Sequence, residues 1–355
     1  MLSTTGSPFV LSFVLLLSLP VVFFILAPHI LSPKTLPAIP TSDELDDLNL
    51  FRRATLSSSD FSLPPKNRPK IAFLFLTNSP LTFSPLWDRF FAGHDNLFNL
   101  YVHTDPTKPV PPPGGVFTAA RFLARNKRTA RASATLISAA RRLLAAALID
   151  DPSNAYFALL SQHCIPLHSF RFVYHSLFAS DPYNSSFPRN RHLRYKSFIE
   201  ILDGEPGLHD RYIARGDDVM MPEVPFSSFR VGSQFFVLTR RHALLVVRER
   251  RLWKKFRMPC LKSKEDSCYP EEHYFPTLLS MQDPNGCTHY TLTRVNWTDS
   301  VGGHPHTYSP DEISADLVRR LRVSNSTYSY LFARKFSPET LEPLMAIADT
   351  VIFRD

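Results

Sequence analysis

The chain has 355 residues, 44% of them hydrophobic and 12% aromatic, which is enough apolar material for one large or two modest cores and excludes broad disorder. Forty Lys+Arg against 32 Asp+Glu leave a formal net charge of +8, so an anionic partner is admitted: nucleotide, phosphate, membrane surface or nucleic acid. No Gly-x-Gly-x-x-Gly, phosphate-loop Gly-Lys-Ser/Thr or Gly-x-Ser-x-Gly occurs, which disfavours dinucleotide, NTPase and serine-hydrolase sites.

In chain order, Phe9 to Leu26 is apolar apart from Ser12 and Ser18, a length at the lower limit for crossing a bilayer. No Lys or Arg precedes it and no small-residue cleavage site stands out, so residues 1–31 read as a cytoplasmic tail and transmembrane signal-anchor. Lys34, Arg52 and Arg53 on the far side run against that orientation under the positive-inside rule. Residues 32–69, rich in Pro, Ser and Asp and poorly patterned over Ser42 to Asp47, read as a stem. Residues 70–355 form the folded, lumenal part.

Ile71 to Leu76, Phe98 to His103 and Ala155 to Leu160 are short continuous apolar runs that predict strands buried on both faces. Between them Trp87 to Phe91 and Ala134 to Ile149 have helical patterning. In the latter, Leu136, Ala140, Leu143, Leu144 and Ala147 share the core side, with Arg141 and Arg142 on the other. Strand–helix–strand spacing gives an α/β class with a mostly parallel central sheet, and such sheets bind ligands beyond their strands' carboxyl ends, here Thr77, His103–Asp105 and Ser161–His163. The basic run Arg121, Arg125, Lys127, Arg128 and Arg131 reads first as a solvated face, with the attraction of an anionic ligand as its alternative.

The second half is less regular. Ser233 to Leu238 predicts a strand, Arg240 to Trp253 a basic helix, Thr288 to Val295 a half-buried strand, Asp311 to Arg322 a helix, and Pro338 to Ile347 a closing helix. Tyr328 to Ala333 is another apolar stretch, ended by Arg334-Lys335. Between these lies Cys260 to Leu279, in which two cysteines enclose a charged loop and Pro270-Glu271-Glu272-His273 opens a helix. A carboxylate on such a stapled helix start is well placed as a general base, although acidic residues also simply complement the helix dipole there.

Four cysteines (Cys164, Cys260, Cys268, Cys287) suit an oxidising lumen, and of the three possible pairings Cys260–Cys268 closes the shortest loop. The spacing lacks any Cys-x-x-Cys pair, so a zinc site is not expected. Asn184, Asn296 and Asn325 open Asn-x-Ser/Thr triplets. The apolar segment and these triplets oppose a nucleic-acid partner.

Six blocks in order carry a resemblance: Lys70 to Leu76; Leu159-Leu-Ser-Gln-His-Cys-Ile-Pro-Leu167; Phe229-Arg-Val-Gly-Ser-Gln-Phe-Phe236; Cys268-Tyr-Pro-Glu-Glu-His-Tyr274; Val295-Asn-Trp297 with Gly302-Gly-His-Pro305; and Leu331-Phe-Ala-Arg-Lys-Phe336. Over about residue 70 to the C-terminus the chain resembles the plant core-2/I-branching β-1,6-N-acetylglucosaminyltransferase-like proteins, related to glycosyltransferase family 14. The resemblance implies a GT-A-like fold, a Golgi type II membrane setting, and inverting, metal-independent transfer from a UDP-sugar, expected to carry GlcNAc, to a glycan acceptor. By motif match Glu272 is the base, and Lys335 with Arg334 neutralises the donor diphosphate. Trp297 matches an acceptor-stacking position. For the basic run from Arg121 to Arg131, the alternative to a solvated face is then the attraction of UDP or an acidic glycan.

Ser233 and Gln234 are placed on the acceptor side of the cleft, and Thr77 and His103, at strand ends, beside the nucleotide; His103 has a structural histidine as its plain alternative. Gln162, Phe235 and Glu271 stand where the plant proteins usually carry an acidic residue, Trp and Asp. The first two leave room for an alternative, a catalytically inactive relative acting as a glycan-binding or scaffold membrane protein. No cofactor is expected.

Overall fold

The computed structural model describes residues 12, 16–23, 34–57, 68–108, 110–178, 195–298, 300 and 303–355. At its centre is a five-stranded sheet of order β3-β2-β1-β4-β6, built from β1 (Lys70–Thr77), β2 (Phe98–Thr104), β3 (Arg121–Phe122), β4 (Asn154–Ser161) and β6 (Val237–Thr239). Neighbours pair in parallel except β6, which runs antiparallel to β4 at one edge. A smaller sheet, β5 (Ile165–Pro166), β8 (Phe332–Arg334) and β7 (Thr293–Val295), lies next in the fold, with β8 in its middle.

The strand period of two divides β1 between two cores. Ala72, Leu74 and Leu76 face one formed with the helices Ala134–Asp150, Arg240–Arg248 and Pro270–Gln282. Ile71, Phe73 and Phe75 face the other, where Trp87, Phe90, Phe91, Phe170 and Phe332 pack around Phe73 with several rings edge-on. Because both faces are covered, these strands read as unbroken apolar runs. In register, Thr77 pairs with Thr104 and Leu76 with Ser161, so the carboxyl ends of β1, β2 and β4 lie side by side.

Several expectations change. Arg141 and Arg142 are buried rather than solvated. Arg141 lies over the Phe51 and Trp253 rings and donates to the Glu249 carbonyl, while Arg142 is ion-paired with buried Asp47. Both partners on the N-terminal side come from the stretch read as a poorly patterned spacer: Thr41–Ser57 is a helix packed on the domain with Asp47, Phe51 and Ala54 inward. Its apolar stripe is narrow and partly built from a charge pair, which hid it. Ahead of it Leu36 donates its backbone N–H to the Cys260 carbonyl, and Thr35 bridges Leu261.

The predicted Arg240 to Trp253 helix stops at Arg248, because the Glu249 carboxylate accepts from the Leu252 and Trp253 amides and starts a separate turn, Trp253–Phe256. Asp311 to Arg322 likewise divides: Ser309 and Glu312 form a capping box over Pro310–Glu312, and Ser314 then caps Ala315–Arg322. The strands expected from Ser233 and Thr288 shorten to Val237–Thr239 and Thr293–Val295.

Among the described residues no helix is long and apolar enough to cross a membrane. Leu16 to Phe23 of the expected anchor is helical with exposed apolar side chains; most of the rest of that run, and Asn184, lie outside the described residues.

Candidate functional site

A cleft of about 620 Å³ opens beyond the carboxyl ends of β1 and β4, lined there by Thr77, Asn78, Ser161 and Gln162. That volume suits a small-molecule site, typically roughly 300–1,000 Å³. Its other walls come mainly from the irregular half of the chain, which together with Arg131 carries the charge.

The helix Pro270–Gln282 presents Glu271 and Glu272 in its first turn, with proline at its start. Just before it, Cys260 and Cys268 form the expected disulfide, which ties the approach to the helix. The Glu272 carbonyl accepts the Gly232 N–H at 2.9 Å. A side-chain carbon at 232 would lie 2.0 Å from the Glu200 carbonyl oxygen, so only glycine lets this segment come so close. His273 stacks on Phe229 and its Nδ1 lies 2.8 Å from the Arg230 carbonyl. Two of the blocks noted in the sequence are therefore one packing unit, which sets Ser233 and Gln234 on the cleft wall beside the carboxylates.

The two glutamates differ sharply. Glu272 reaches the cleft, and its Oε2 accepts from Arg211 Nη1 at 2.9 Å with the carboxylate 28% exposed. Burial raises its pKa, and the Arg211 charge and hydrogen bond pull it back. Glu271 is 5% exposed, and its Oε1 accepts the Ala132 N–H at 3.0 Å. Burial, with the negative charge of Glu272 adding to it, pushes Glu271 up to about 8.

Cations face them. Arg334 ends β8, with its guanidinium 4.4 Å from the centre of the Phe235 ring, and Lys335 follows it into the cleft. Phe235 is thus the platform for Arg334. Burial lowers the pKa of both cations, and Lys335 also feels the charges of Arg334 and Arg131. Arg131 lies 2.7 Å from His304 Nε2 and donates to the Gly303 carbonyl at 2.8 Å. Arg131 and Arg211 both lie over the Tyr269 ring. Among the described residues no three His, Cys, Asp or Glu side chains are gathered as a metal site.

Of the residues singled out from sequence, Glu272, Arg334, Lys335, Thr77, Ser233, Gln234 and Trp297 all line this cleft, with Trp297 53% exposed at it. His103 does not. It is fully buried, its Nε2 accepts the Lys127 N–H at 3.3 Å, and burial pushes it down to about 4. Its ring carries the loop that delivers Arg131, and His163 lines the cleft instead. Gln162 donates to Asn78 at the rim. Cys164 and Cys287 are buried free thiols. Asn296 is half-buried with its Oδ1 accepting from Thr298 N, whereas Asn325 is exposed.

Sequence reasoning gave no role to Arg211, Glu200 or Tyr269 and put Arg131 on a solvated face before a binding one. Arg131 lay in a run that resembled a solvated face, and in its case the signal was the loop's position before a capped helix. Arg211 and Glu200 sit in a stretch without periodicity, and no local pattern marks them.

A mostly parallel α/β sheet with a charged cleft at its strand ends fits a glycosyltransferase. The chain belongs to the Core-2/I-branching enzyme family, whose model matches residues 71–322. It is similar to Glycosyltransferase BC10 of Oryza sativa subsp. japonica, with 29% identity over 324 residues that cover 78% of this chain and 75% of that protein. Family and relative together support a glycosyltransferase, of the plant core-2/I-branching kind that the six blocks resemble.

Proposed function

We propose that the protein is an inverting, metal-independent glycosyltransferase that moves a sugar, expected to be GlcNAc, from a UDP-sugar to a glycan hydroxyl. Glu272 takes the acceptor proton as that oxygen attacks the anomeric carbon from the face opposite UDP. The bond from that carbon to the diphosphate breaks, and UDP leaves with the electron pair. Fixed cations then stabilise the charge that grows on the diphosphate, which is the role of Lys335 and Arg334 with Arg131 beside them. Thr77 lies on the nucleotide side and Trp297 offers a ring to the acceptor sugar.

The observation that carries this reading is that Glu272 and the Arg334–Lys335 pair line one sugar-sized cleft, near enough for Arg334 to lower the Glu272 pKa. Arg211 supports the role further, because its charge and hydrogen bond favour the ionised form against the burial and orient the carboxylate. The same proposal makes the protein a single-pass type II Golgi membrane protein, with residues 1–31 as tail and anchor and the cleft lumenal. The exposed apolar helix Leu16 to Phe23 and the Cys260–Cys268 disulfide support that setting.

The test is UDP release by the purified protein over a panel of UDP-sugars and glycan acceptors, with and without EDTA. Release that survives chelation and is lost in Glu272→Gln is expected. Release unchanged in Glu272→Gln overturns the mechanism. Binding of glycans with no release from any donor favours a binding or scaffold protein instead.

A further inference from the structure

The Thr41–Ser57 helix has an inward face, described above, and an outward one of unusual composition. Leu45, Leu48, Arg52 and Leu56 follow one another at steps of three and four, so they form one stripe along the helix. The leucines are 59%, 43% and 66% exposed, and Arg52 and Arg53 are exposed with them.

More cations lie on a neighbouring segment that meets the helix through its inward side. The Arg141 guanidinium lies 4.6 Å from the Phe51 ring and 5.0 Å from the Trp253 ring, and it donates to the Glu249 carbonyl at 2.6 Å. Those contacts bring the 249–254 segment against the helix, with Arg250, Arg251 and Lys254 all exposed. Nearby acids are engaged elsewhere. Glu249 caps the Leu252 and Trp253 amides, Glu223 pairs with Lys255, Glu44 with Arg257, Asp43 and Asp46 with Lys127, and Asp47 with Arg142.

We propose that this face docks flat on a bilayer surface bearing anionic headgroups, with the leucines entering the interface and the arginines and lysine meeting the phosphates. Exposed leucines interleaved with arginine are the pattern of a helix lying in an interface. The chain's path names the occupant. The apolar run ends at Leu26 and the chain is docked on the domain by Lys34, so about eight residues, reaching ~28 Å at most, separate the two. A domain tethered that closely meets the bilayer at high effective concentration. Docking through this helix would fix the orientation of the cleft to the membrane, because the same helix holds Lys127 and with it the loop that carries Arg131.

The inference rests on the proposed anchor, and the experiment separates the two. The full chain, carrying a polarity-sensitive fluorophore at Leu48→Cys or at the exposed control site Asp349→Cys, is reconstituted with vesicles of phosphatidylcholine alone or with phosphatidylserine added. The expected result is that the chain floats with both vesicles, while the Leu48 probe shifts to the blue and becomes several-fold less accessible to an aqueous quencher only where phosphatidylserine is present. The paired change Arg52→Glu and Arg53→Glu should return the probe to water while flotation persists. A chain that floats with an aqueous Leu48 probe overturns the docking alone, and a chain that does not float overturns the anchor and the docking together. A shift in detergent that grows with protein concentration would show a second copy covering the face, and an equal shift at Asp349 would show contact without a preferred face; either result overturns the proposal.

Discussion

The sheet half, residues 70 to 161, and the irregular half, residues 199 to 336, contribute to the cleft in opposite ways. The first buries three parallel strands as apolar runs and ends them together, offering hydroxyls at Thr77 and Ser161 and, from the loop before the Ala134–Asp150 helix, the charge of Arg131. The second has short strands and bridges, yet it supplies Glu272, Arg211, Phe235, Arg334 and Lys335. Its segments are held by single contacts: a glycine pressed on a carbonyl, a disulfide, an arginine over a ring. Packing that tolerates hydrophobic exchange fixes where the site is, and a few irreplaceable contacts fix what it does. Substitutions in the irregular half should therefore remove activity from a folded protein, and substitutions under the sheet should remove the fold.

The largest effect is expected at Glu272. Glu272→Gln keeps an acceptor for Arg211 but cannot take a proton, so kcat should fall by about 10²–10⁴ with the thermal midpoint little changed. In the parent, burial raises the Glu272 pKa, so activity should be lost as pH falls through a value above the ordinary carboxylate range. An unchanged acid limb in Glu272→Gln would show that another group is the base. Next comes Lys335→Ala, which removes a cation from the leaving-group side and should lower kcat by roughly 10²–10³. Full activity there would move the diphosphate away from β8.

On the other side of the comparison, Asp47→Ala leaves Arg142 buried without its carboxylate. The remaining bonds from Arg142 to the Arg125 and Asp43 carbonyls soften the loss, so about 3 kcal/mol of stability is expected to go, read by chemical denaturation. If turnover collapses while stability holds, the N-terminal helix acts on the cleft and not on the fold.

The same division decided what the sequence revealed. Buried parallel strands announce themselves because covering both faces forces every residue to be apolar, and Ile71 to Leu76 could hardly be read otherwise. Glu272, Arg334 and Lys335 were legible because they sit in compact blocks. Arg211 and Glu200 were not, since a cleft assembled from residues as far apart as Leu76 and Lys335 leaves no local period. The inward turn of Arg141 and Arg142 was hidden for a related reason: a guanidinium among rings and carbonyls has the same letter as one in water. His103 shows the converse, a strand-end histidine whose ring supports a neighbouring loop and not a ligand.

Glu271 lies at the seam between the halves and should give the smallest effect, with a distinctive sign. Its carboxyl ionises near 4.5 when unburied, but in the fold burial holds it up to about 8. Between those values the native chain binds a proton that the unfolded chain has released, so folding stability contributed here is present below about 4.5 and is lost as pH rises toward 8. Because Glu271 touches the cleft, water relieves part of the cost, and a decline on the order of 1–2 kcal/mol across that window is expected. Glu271→Gln keeps an oxygen for the Ala132 N–H and cannot ionise, so its unfolding midpoint should stay level where the parent's falls. Parallel curves for the two proteins would mean that Glu271 is already ionised in the fold, which would place a cation beside it and move the boundary between the halves into the first turn of the base helix.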